Sequence, residues 1–76
     1  MKNKEVSLQE LIDRECRAVI AYNKALDEID SIADTGRVLG MNVNSSLLKA
    51  YADADNALVN LRMARNNLAE YFKQNL

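Results

Sequence analysis

Few side chains in this sequence are equipped for chemistry. There is no histidine, so neither a Cys-His nor a Ser-His dyad can form, and the commonest general base near neutral pH is missing. Cys16 is the only thiol, with Arg17 beside it. A basic neighbour stabilises a thiolate, but the position also reads as a small, half-buried apolar residue beside a helix seam, and that plainer reading is preferred. Ser45 and Ser46 fall where a helix must start, so they read as capping residues rather than nucleophiles. Gly36-x-x-x-Gly40 lacks the Lys-Ser/Thr that completes a phosphate-binding loop. No catalytic residue is assigned. With one thiol and no histidine, no zinc site and no cofactor is expected either, and the expectation is a protein that is not an enzyme.

Two polar groupings could instead carry binding. Asp27, Asp30 and Asp34 follow i, i+3, i+7 and form an acidic ridge, joined by Glu28, near a helix C-terminus that already carries partial negative charge. The ridge could dock a basic partner. As a divalent-cation cage, three monodentate groups on one rigid helix are poor, and the plainest reading is a solvated face neutralised by Arg37 and Lys49. Asn56, Asn60, Asn66 and Asn67, with Arg62 and Lys73, make an asparagine-rich polar face. Asparagine is a weak helix former, so an ordinary solvated face favours Glu, Lys or Gln. Amides and guanidinium groups pair with base edges and phosphates, which makes this the first choice for a specific polar contact, although compositional bias explains it as well.

The elements that position these groups follow from size and punctuation. At 76 residues the chain is one domain, and a core this small is marginal without a disulfide, a metal or a partner. With the first two excluded, oligomerisation or docking remains. The net charge of −1 supplies no electrostatic case for nucleic acid or an anionic membrane surface. No run approaches the roughly 20 apolar residues of a membrane span, and the lone thiol with no signal-like N-terminus points to the cytoplasm.

Proline is absent and the only glycines are Gly36 and Gly40, so one break divides two long segments. The spacing predicts an all-α antiparallel hairpin with helices over about 8–35 and 45–74, an N-terminal tail over 1–6 and a loop over 36–44. Ser7 and Glu10 form a capping box flanked by Val6 and Leu11 at staple positions. Gly36 is expected to stop the first helix. Asn44 is expected to cap the second, with Val43 and Leu48 as its staple pair.

Heptads support the division. In the first helix Ile12, Val19, Leu26 and Ala33 occupy a; Leu8, Glu15, Tyr22 and Ile29 occupy d; Leu11, Ala18, Ala25 and Ile32 occupy g. In the second, Leu47, Ala54, Leu61 and Leu68 occupy a; Ala50, Ala57, Ala64 and Tyr71 occupy d; Tyr51, Leu58, Arg65 and Phe72 occupy e. Each is the three-in-seven stripe of a core-facing bundle helix, with one charged intruder. If the helices pack closely, facing residues have numbers summing to about 80, which sets Glu15 opposite Arg65 and predicts an interhelical ion pair whose role is to set register. The second helix lines the seam with alanine, which buries little area, so a second layer is expected. Ile20 and Ala21 on the first helix, with Val59 and Met63 on the second, are the candidate interface for an oligomer or partner.

Leu47-Leu48-Lys49-Ala50-Tyr51 followed by Leu61-Arg62 resembles the second helix of type III secretion needle subunits, which are similar in length and polymerise as helical hairpins. The resemblance covers under half the chain and implies a filament subunit. The proline-bearing turn of that family has no counterpart here, and the first helix does not match. The favoured expectation is a small interaction or regulatory protein. It forms a homo-oligomer, with a dimeric four-helix bundle preferred, and binds a protein target, as small phage-encoded inhibitors of host systems do. A nucleotide- or small-ligand-binding, sponge-like oligomer is the alternative, ahead of the filament.

Overall fold

The structure, a computed structural model, describes residues 7–75. Among these it contains two α-helices and no strand: α1, Leu8–Leu39, and α2, Asn44–Asn75. They pack against one another as an antiparallel hairpin about 58 Å long and 18 Å across. The all-α hairpin expected from the periodicity is therefore present. The tail over 1–6, with the Val6 half of its staple, lies outside the described residues.

α1 starts with one half of the expected capping box, the Glu10 side chain turning to Arg14 instead of back to the Ser7 amide. The Ser7 hydroxyl accepts from the Glu10 amide at 3.2 Å, which satisfies one of the free N–H groups of the first turn. The Glu10 carboxylate pairs with Arg14 at 2.9 Å, one turn on.

The helix does not stop at Gly36 but continues one turn to Leu39, and the left-handed residue is Gly40, at φ 66°. The amides of Gly40 and Met41 both donate to the Gly36 carbonyl, the closing pattern of a left-handed glycine cap. Gly36 is buried and serves a different need. A Cβ there would lie 2.7 Å from Cγ2 of Val43 and 3.3 Å from the Met41 carbonyl oxygen. The returning chain crosses directly over Gly36, and only a residue without a side chain admits it.

The loop is thus residues 40–43 rather than 36–44. The Leu47 amide donates to the Val43 carbonyl at 2.8 Å, so Val43, not Asn44, holds the cap position of α2. The side chain of Asn42 accepts from the Asn44 amide at 2.9 Å, a local turn that Asx side chains make readily. Val43 spends its apolar surface on Gly36, and Leu48 is exposed, so no Val43–Leu48 staple forms.

The buried residues trace the seam: Leu11, Ile29 and Gly36 from α1, and Ala50, Ala54, Leu61 and Ala64 from α2. Around Ile29, Ala50 and Ala54 pack Tyr22, Ala25, Ile32 and Leu47. Three of the buried residues are alanines, and no side chain is fully enclosed. Burial by two helices alone is therefore slight, because stabilisation scales with the apolar area removed from water.

Candidate functional site

The seam takes only two of the three apolar columns of each helix. In α1 the d and g columns turn inward. In the a column Val19 and Ala33 are half-buried, while Ile12 and Leu26 are each 38 % exposed. In α2 the a and d columns turn inward. The e column keeps Leu58 half-buried but leaves Tyr51 57 % and Phe72 45 % exposed. The physical reason is width. A three-in-seven stripe spans more than 100° of a helix, whereas two helices in contact share a narrower strip.

A rotation of about 100° per residue puts the α1 a column and the α2 e column on the same side of the hairpin. The result is one open, largely apolar flank along the middle of the rod, formed by Ile12, Val19, Leu26 and Ala33 beside Tyr51, Leu58 and Phe72. Phe72 makes an edge-to-face contact with Tyr71, ring centroids 5.8 Å apart. The heptad stripes assign all three columns to the hairpin core, so this face is a departure from the sequence expectation. The signal was present in the stripe's width.

Arg65 crosses this flank. Its Nε donates to Oε2 of Glu15 at 3.1 Å, with the carboxylate 24 % and the guanidinium 59 % exposed. The structure thus brings Glu15 and Arg65 together at the edge of the seam, where water still reaches the guanidinium. Cys16, expected half-buried, is exposed at the outer margin of the same flank.

Ile20, Ala21, Val59 and Met63 are all exposed, but they do not converge on one patch. Ile20 and Val59 sit on the outward backs of different helices, about half a turn from the seam, and Ala21 and Met63 lie towards the side opposite the open flank. Three of the asparagines do share a stripe: Asn56, Asn60 and Asn67, with Met63 between them, follow i, i+4, i+7, i+11. Asn66 faces outward and Arg62 borders the apolar flank, so those two stand apart. None of these five side chains forms a hydrogen bond or ion pair within the hairpin among the described residues.

The acidic ridge is exposed along its length. Asp34 is held by Arg37, one turn on, whereas Lys49 pairs with Asp53 of its own helix at 3.2 Å and leaves Asp27 and Asp30 to solvent. Among the described residues no group of three or more side chains is arranged to hold a metal ion, and no helix is long and apolar enough to cross a membrane. Two open clefts mark the ends of the seam: one beside Leu11, Asn67 and Tyr71 at the open end of the hairpin, the other between Glu28, Lys49 and Asp53 near the loop. Comparison with protein-family models, with curated proteins and with solved structures returns no match.

Proposed function

We propose that this chain is a non-enzymatic interaction protein of the cytoplasm, a helical hairpin that self-associates into a dimeric four-helix bundle and in that form binds and regulates a protein target. The observation that carries this reading is the open apolar flank. The accessible surface is 5830 Å², whereas a compact monomer of 8.5 kDa exposes about 4700 Å². An elongated rod carries that excess on all its sides. A rod of two helices has no inside to place that surface in, and a second pair of helices supplies one. Target binding would use the polar surfaces that remain after assembly, with the Asp27, Asp30 and Asp34 ridge suited to a basic partner. The test is size-exclusion chromatography with light scattering. A stable, folded monomer at all concentrations rejects the assembly on which the reading depends.

A second reading is favoured by one specific observation, the stripe of Asn56, Asn60 and Asn67, whose amides have no partner among the described residues. Such a stripe suits a polar small ligand such as a nucleotide, held by a sponge-like oligomer. Thermal-shift screening against nucleotides separates the two, since a ligand bound only by the folded state raises the midpoint by mass action. A filament is distinguished by polymers that grow with concentration under electron microscopy.

A further inference from the structure

Resting on the self-association proposed above, we infer that the face that dimerises is the flank of Ile12, Val19, Leu26, Tyr51, Leu58 and Phe72, and that it takes a second copy of this chain in the antiparallel sense, loop end against open end. Shape and charge converge on this occupant.

The flank residues span Ile12 to Ala33 and Tyr51 to Phe72, about 32 Å at 1.5 Å rise per residue, along the middle of a rod 18 Å wide. Each helix shows its third column there, apolar except for Arg65.

Shape is self-complementary about a two-fold axis at mid-height, as a closed dimer requires. With the axis level with residues 22 and 23 of α1, α1 packs on its symmetry mate. Ile12 then meets the small Ala33, and Val19 meets Leu26. On α2 the same axis passes beside Leu58, which meets its own copy.

Charge decides the direction. Residues 24–59, the loop half of the rod, carry six carboxylates against three cations, leaving −3. Residues 7–23 with 60–75, the open half, carry four carboxylates against five cations, leaving +1. A parallel pairing sets the two acidic halves side by side. The antiparallel pairing lays each acidic half on the partner's basic half, which is electrostatically complementary and suppresses the alternative.

The test combines surface substitutions with a distance measurement. Leu26→Asp and Tyr51→Asp, on the flank, should convert the dimer to a species of monomer mass. Ile20→Asp and Val59→Asp, on the helix backs, should leave it dimeric. Circular dichroism on each variant registers unfolding. The second measurement leaves the flank intact: a nitroxide is attached at position 38 in the Val38→Cys, Cys16→Ser protein, and the spin–spin distance within the dimer is read by pulsed electron resonance. Val38 is 77 % exposed and lies away from the flank. At 1.5 Å rise per residue, the antiparallel dimer separates the two labels by about 45 Å, whereas a parallel dimer holds them within about 30 Å. The long distance, with flank-sensitive and back-insensitive dimerisation, supports the inference. A short distance, a dimer that survives both flank substitutions, or one lost on substituting Ile20 or Val59 overturns it while leaving self-association standing. A folded monomer overturns both.

Discussion

Arg65 reaches Glu15 across the one place where both apolar stripes are interrupted by charge. The guanidinium keeps 59 % of its exposure, so solvent screens the attraction and an exposed pair of this kind contributes little. A double-mutant cycle on Glu15→Ala and Arg65→Ala should return a coupling of about 0.5 kcal/mol where the flank stays open to solvent, smaller in high salt, and a larger one in the dimer inferred above, which covers the pair. A coupling of several kcal/mol would mean the pair is desolvated by something laid over the flank, and it would then report on the assembly as well. The Ser7 cap is a second residue-scale test. Ser7→Ala removes the acceptor for the Glu10 amide and should cost about 1 kcal/mol in denaturant unfolding. Both contacts were legible from spacing alone, since capping boxes and the constant register of an antiparallel hairpin are local or one-dimensional rules. The exposure of Cys16 was not, because heptad letters do not say which of three columns faces the neighbour.

At the scale of elements, the turn separates two roles that glycine can play. Gly40 supplies a positive φ and has open space around its Cα, so Gly40→Ala should cost about 1 kcal/mol through backbone conformation alone, whatever its neighbours are. Gly36 is helical, and alanine there would gain about 1 kcal/mol of helix propensity. The Cβ, however, would press on Val43 and on the Met41 carbonyl. Gly36→Ala should therefore destabilise net, by about 1–3 kcal/mol, and the additional Val43→Ala change should recover part of that loss. Chemical denaturation of the four proteins checks both expectations; a stabilised Gly36→Ala protein would show that the loop does not sit on the helix. The sequence marks a break with two glycines four residues apart but does not say which one ends the helix. That choice is made by the path of the returning chain, a tertiary fact, and it shifted the end of α1 by one turn and the cap of α2 by one residue.

For the whole molecule, the hairpin itself was readable because hydrophobic period and glycine placement agree on it. Its sufficiency was not. Eleven apolar residues in twelve stripe positions look like a full core for two helices, yet the seam covers two columns and leaves the third on one side. The alanines of α2 bring the helices close together, and that closeness narrows the buried strip further. Ile20, Ala21, Val59 and Met63, the interface expected from the stripes, are exposed but do not converge, whereas the surplus columns gather on the open flank. A hairpin held mainly by that flank should also lose helical circular dichroism on dilution, since an obligate dimer has no stability apart from its protomer concentration.

Light scattering on the eluting, folded protein is the measurement that bears most directly on the central claim, that two helices are not enough. The account predicts a species of twice 8.5 kDa, about 17 kDa, with full helical dichroism at micromolar concentration. A species of 8.5 kDa that keeps its helicity and its cooperative melt on dilution would contradict it.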